Sequence, residues 1–400
     1  AYPLPVTASF VTGELRGQAF EPKFGSMERI VEAAREIVAL PNIESASHTK
    51  SHPYYWSLLD HQASLYDYQS LDLTYANYSF GGTEFEAEIV ESVDYINETL
   101  FRGEPECELL FWSGNCRPPP EALEVAEKAD ILTINGGDTL ITSAAPFRSM
   151  IAPRSVAWRG QVQVFAANQN ENVYNNAFKD DLYGGYANVI ESFQLTEQPV
   201  RFKPVNVYYH FYSADRPASF RELKRVVDWV MQQELYPLTA SAYVRSVRAS
   251  RGARILLRED GFRLTADPGL HTWRYPAAMG YPDMERSTGV LGYNDAGDQR
   301  YLIREPGQPV DLVLRQTPPT TPHLRSATIP NRLEQNRAGW TFHAAGWRRG
   351  LILIANAEKL GAPDLPQGAS FSLDSDGLGR LEIEPGMVVH FPAAGEEAQP

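Results

Sequence analysis

The chain has 400 residues, 43% of them hydrophobic, a formal net charge of −14 and two cysteines. Such a length predicts two domains, and the apolar fraction predicts buried cores rather than disorder. The charge disfavours nucleic acid as a partner, and no apolar run reaches the roughly 18 residues of a membrane span.

Ala1-Tyr2-Pro3-Leu4-Pro5 has neither the basic start nor the apolar segment of a signal peptide, so the chain is expected to begin inside a larger protein or to have been processed. Pro5 to Gly13 alternates and is rich in β-formers, which predicts a strand ending at a glycine. Ser26 to Leu40 places Met27, Ile30, Val31, Ala34, Ile37 and Val38 at helical spacing, with Ser26 as N-cap. Ile43 to Ser47 is the next strand and delivers His48. Strand, helix and strand with short joints is the signature of a parallel sheet or barrel. Residues 53–82 form a long aromatic loop, predicted to be functional because disordered loops lack aromatics. Thr83-Glu84-Phe85-Glu86 reads as a capping box opening a helix to about Leu100.

Glu108 to Trp112 is a strand, Pro119 to Ala129 a helix, and Asp130 to Asn135 a strand ending in Gly136-Gly137-Asp138-Thr139. Cys107 and Cys116 flank the first of these. Fully extended, the chain between them spans roughly 30 Å, so a bridge requires it to double back at Ser113-Gly114, and both are predicted to be free thiols. A strand at Val162 to Phe165 precedes the polar run 166–174, and a strand at Val205 to Tyr209 delivers His210. A helix follows from Pro217 to about Gln233. Four polar clusters, each just past a strand, fit an α/β barrel whose loops build one site. The alternation stops near Ser250. Beyond it, short apolar runs between Gly, Pro and Asp turns predict an all-β sandwich over 251–400, after a barrel over 1–250.

Ser45-Ala46-Ser47-His48-Thr49-Lys50-Ser51-His52-Pro53-Tyr54 is the stretch with the clearest chemistry. Two histidines four apart on a local helical turn point the same way and can share a divalent cation. Neutral imidazole suits zinc, leaving room for a carboxylate and a water. Helix surfaces also carry such pairs by chance.

Ser47-His48-Thr49 with His52-Pro53 resembles the metal-binding motif of the NodB-like polysaccharide deacetylases, which are carbohydrate esterases. Thr7-Ala8-Ser9-Phe10-Val11-Thr12-Gly13 resembles a second motif of that family, Arg117-Pro118 its arginine-proline loop, Asp138 its aspartate loop, and His210 after Tyr208-Tyr209 its terminal histidine motif. Phe111-Trp112-Ser113-Gly114, Asn135 to Thr139, Asn168 to Tyr174 and Tyr208-Tyr209-His210 look more particularly like the deacetylase modules that modify Pel-type exopolysaccharide in biofilm matrix. The resemblance covers residues 3 to about 300. It implies a deacetylase barrel, truncated here at its N-terminus, and periplasmic N-deacetylation of a galactosamine-rich polymer. It also implies an export scaffold in the periplasm or outer membrane as partner. His48 and His52 would hold the metal, zinc first and cobalt or nickel next, and His210 would be the general acid. The family's aspartate pair, one ligand and one base, would lie upstream of Ala1.

Beside these, Arg117 either supports a carboxylate near the metal or is a solvated loop residue. Asp138 either orients Arg117 or His210 or is a turn aspartate. Tyr54, Trp56 and Trp112 are candidates for stacking on sugars, and Glu171 for lining the cleft. His61, His271, His323, His343 and His390 have no partner at ligand spacing. Two other functions compete: a carbohydrate-binding or assembly module without catalysis, and a glycoside hydrolase using Asp138 and Glu171 as its carboxylates.

Overall fold

The computed structural model describes residues 2–17, 26–57, 85–101, 106–175, 184–198 and 200–393. His61, most of the aromatic loop and the first half of the expected capping box lie outside them. The chain divides into two compact units, Val6–Gln233 and Glu234–Pro400, the latter joined by Ala1–Pro5. The fold is mixed α/β with a β-rich part.

In the first unit β1 (Val6–Phe10), β2 (Ile43–Ser47), β3 (Leu109–Phe111) and β4 (Leu132–Ile134) form one sheet in chain order. All three pairings are parallel, with Phe10 opposite Ser47, Ser47 opposite Leu110 and Phe111 opposite Ile134. Parallel strands need crossovers, and helices supply them. After the short α1 (Thr12–Leu15), α2 (Met27–Val38) joins β1 to β2, α3 (Phe85–Thr99) precedes β3, and α4 (Pro120–Lys128) joins β3 to β4. Ser26 occupies the N-cap of α2 in extended conformation, without a side-chain cap bond. Phe10, Ala34, Ile89, Ile96, Leu110 and Trp112 belong to one buried core. Since the strands are parallel, their C-terminal ends collect on one edge, and His48, Trp112 and Asn135 are the residues that leave it.

A two-stranded ribbon, β5 (Ser155–Trp158) with β6 (Gln161–Val164), follows. Then come the short α5 (Glu171–Asn175), α6 (Val189–Leu195) and α7 (Pro217–Met231). The strand expected at 205–209 is absent as a sheet member: these residues carry no ladder. Their alternation is satisfied by packing instead. Val205, Val207 and Tyr209 lie against the buried cluster of Tyr186, Val189, Phe193, Leu223 and Val226. Tyr208 and His210, of the other parity, make polar contacts described below.

The second unit contains α8 (Ala240–Gly252), capped by Thr239 Oγ1 accepting from the Ala242 amide. This helix lies on the second unit's side of the division, ahead of the change in sequence pattern near residue 250. Sheets of four, seven and three strands follow it. The segment Leu351-Ile352-Leu353-Ile354 is central in the seven-stranded sheet, where Ile352 and Ile354 are fully buried. No helix among the described residues is long and apolar enough to cross a membrane.

A candidate histidine-centred functional site

The loop leaving β2 is not a helical turn. Thr49 and His52 both take left-handed backbone angles, φ 70° and 53°, and residues 48–52 contain no helix. Side chains hold this unusual path. The Thr49 amide donates to Ser47 Oγ at 3.0 Å, and the His52 amide donates to Thr49 Oγ1 at 3.0 Å. The loop is also tied to β1, since the amides of Thr12 and Gly13 donate to the carbonyls of Thr49 and Lys50. His48 and His52 nevertheless meet, ring centroids 4.8 Å apart and edge to face. Their spacing in sequence suggested the meeting; the backbone achieves it by a strained turn rather than by helical periodicity.

The His48 ring is fixed from one side. Its Nδ1 lies 3.0 Å from the Phe111 carbonyl, which can only accept, so Nδ1 carries the proton and Nε2 keeps a lone pair. Burial pushes the His48 imidazole well below the ordinary histidine range, and the neighbouring His52 and His210 push it the same way. His52 is lowered to about 4, first by burial and then by His210. Both rings are therefore neutral at neutral pH, the form that binds a cation.

His210 leaves the extended 205–209 segment and faces a buried acid. Glu171, the first residue of α5, is 2% exposed. Its Oε1 accepts from the His210 amide at 2.8 Å, from His210 Nδ1 at 2.9 Å and from Ser213 Oγ at 3.0 Å. A carboxylate accepts, so Nδ1 is protonated and Nε2 is the nitrogen left to exchange a proton. The ring is stacked on Tyr212 at 4.8 Å and 7°, and Asn172 Nδ2 donates to the Tyr212 hydroxyl. Glu171 thus orients His210 rather than lining a cleft.

A polar web joins the remaining strand ends. Asn135, at φ 124°, donates from Nδ2 to the Trp112 carbonyl and to the Tyr208 hydroxyl, each at 2.8 Å. Gln163 Nε2 donates to the carbonyls of Cys116 and Asn135. Of the seven non-glycine residues with positive φ among those described, Thr49, His52, Cys116 and Asn135 belong to the loops that leave β2, β3 and β4. Backbone strain is concentrated where the histidines are.

Other expectations fare differently. Trp56 and Trp112 are fully buried, packed edge to face at 4.7 Å, so neither presents a face to a sugar. Tyr54 is half-buried against Tyr55. Arg117 is exposed, with its backbone amide on Asn115. Asp138 is also exposed and accepts from Gln169 Nε2. Neither reaches His210. Both cysteines are free, as expected, and burial raises their thiols to about 11 and about 12. Glu88 and Tyr212 were not singled out from sequence, and Asn135 entered only as the first residue of a motif. Glu88 and Ser92 share the α3 face of Ile89 and Ile96, and polar residues on an apolar helical stripe were the available signal.

Among the described residues no group of three His, Cys, Asp or Glu side chains converges in a manner suited to a metal ion. Comparison with protein-family models, with curated proteins and with solved structures returns no match to this chain.

Proposed function

We propose that the chain contributes the working histidines of a metal-dependent polysaccharide N-deacetylase, acting in the periplasm on an N-acetylated amino-sugar polymer of Pel type. One observation carries this reading: two neutral imidazoles in edge-to-face contact, beside a third whose Nδ1 is bound to a buried carboxylate. The parallel sheet is read as an arc of a (β/α) barrel, and the β-rich part as a sandwich.

His48 Nε2 and a ring nitrogen of His52 fit a borderline divalent cation, zinc ahead of cobalt or nickel. The third ligand and the general base are assigned, by the resemblance, to an aspartate pair ahead of β1. When bound, such a cation supplies Lewis acidity toward an acetyl carbonyl and acidifies water. The attacking water's proton would pass to the assigned aspartate base, while His210, protonated at Nε2, would give that proton to the departing amine as the C–N bond breaks, Glu171 stabilising the imidazolium until then. Tyr212 holds the ring plane during the transfer. Arg117 and Asp138 have no part in this scheme, because neither touches the histidines. A glycosidase is disfavoured, since Glu171 is sealed from solvent and committed to His210 and Ser213. An export scaffold remains the implied macromolecular partner.

The test is zinc content and acetate release from acetylated galactosamine oligomers, for this chain beside a form extended upstream. Zinc uptake and acetate release by the extended form, both lost in His48→Ala, are expected. Polymer binding without acetate from either form would leave a carbohydrate-binding module and overturn the enzyme.

A further inference from the structure

The histidine loop is gripped by a helix that contributes nothing to the proposed chemistry. Glu88, on the first turn of α3, is 3% exposed although it is an acid. One of its oxygens, Oε2, accepts from the Lys50 amide at 3.0 Å and the Ser51 amide at 2.9 Å. The other, Oε1, accepts from Ser51 Oγ. One turn further, Ser92 Oγ lies 2.7 Å from Ser47 Oγ, and Ser47 Oγ accepts the Thr49 amide. Two residues on one face of α3 therefore engage the loop at 47, 50 and 51, either side of the left-handed Thr49 and just before the left-handed His52.

A buried carboxylate is costly unless its lone pairs are filled. Here backbone amides of the loop fill them, so the loop path and the burial of Glu88 depend on each other. We infer that Glu88 is the positioning residue of the site: it sets the backbone path that brings His48 and His52 together, and so sets their affinity for a shared divalent cation. The role rests on reading those histidines as metal ligands. Glu91, on the same helix, is exposed and meets the Lys50 ammonium at 3.5 Å. It carries the same charge nearby without holding the loop backbone, which makes it a control.

The experiment is zinc titration of the whole chain by calorimetry, with imidazole NMR signals of His48 and His52 followed in parallel. Glu88→Gln keeps size but has one acceptor oxygen where the carboxylate has two. It is expected to weaken zinc binding by about tenfold or more and to shift both imidazole signals before metal is added. Glu91→Gln is expected to do neither. Should Glu88→Gln fail to fold, Ser51→Ala removes only the hydroxyl bond and is expected to move affinity and signals the same way by less. Wild-type affinity and unshifted imidazoles in Glu88→Gln, or in Ser51→Ala where that variant stands in, would overturn the positioning role alone. A wild-type chain taking up no zinc would overturn the metal reading, and this role with it.

Discussion

His52 gives a quantitative test of the neutral-imidazole pair. In the folded chain it titrates at about 4, against 6.5 for a free histidine, because the half-buried ring is desolvated and faces His210. Between those values the unfolded chain binds a proton that the folded chain refuses. Folding stability therefore falls as pH drops from 6.5 toward 4, and the loss is complete below the folded value. Each pH unit in that window costs about 1.4 kcal/mol. The full window amounts to about 3 kcal/mol, or about 2 once the solvent reaching a half-buried ring is discounted. His52→Gln removes the titration and keeps most of the bulk. Urea unfolding with chelator present, followed by the fluorescence of buried Trp56 and Trp112, measures the difference. Between about pH 7 and about pH 5 the wild type is expected to lose roughly 1 to 2 kcal/mol more than His52→Gln. His48 is displaced in the same direction, in part by His52 itself, so His52→Gln also relieves part of that displacement and widens the difference in the same sense. Parallel stability curves for the two proteins would refute the argument, since they would mean that His52 accepts its proton equally well folded and unfolded.

Two further expectations concern the same unit. Glu14 on α1 is raised to about 7 by burial, so its effect has the opposite sense. The folded chain keeps its proton longer than the unfolded one, and stability declines as pH rises from 4.5 toward 7. Glu14→Gln should be more stable than wild type by about 1 to 2 kcal/mol near pH 8 and no more stable near pH 4, both read from urea unfolding. Trp112→Ala should cost about 3 to 5 kcal/mol of unfolding free energy, as deletion of a fully enclosed ring does. A loss below about 1 kcal/mol would return Trp112 to the surface role expected from sequence.

The strands and helices of the parallel sheet were legible because their signals are local. The Ile43–Ser47 strand and the α2 stripe are each written within a dozen residues, and the joint between them is marked by Pro41-Asn42. The 205–209 segment misled for the same reason: alternation reports which side chains are buried, not whether the backbone has a neighbour to bond. Val207 and Tyr209 pack, partly buried, against helices, and the pattern looks identical. At the site, His48, His52 and His210 were visible as residue types, but their supports were not. Glu171 lies 39 positions from His210, and Glu88 lies 37 from Ser51. Only the fold brings such pairs together. Trp56 and Trp112 were misplaced because a tryptophan beside a polar motif reads alike whether it faces sugar or core.

Thr49 has a consequence for how this stretch can vary. A β-branched residue in the left-handed region is among the least comfortable occupants of that conformation, and strain of this kind costs on the order of 1–3 kcal/mol. Glycine would sit there without protest, yet it would delete the hydroxyl that receives the His52 amide. The residue that suits the backbone and the residue that suits the histidines are therefore different at position 49. A search that rewards thermal stability alone would drift toward glycine and loosen the loop, whereas one that rewards cation retention would hold threonine or serine. The two kinds of selection can be told apart by which residue they leave at this one position.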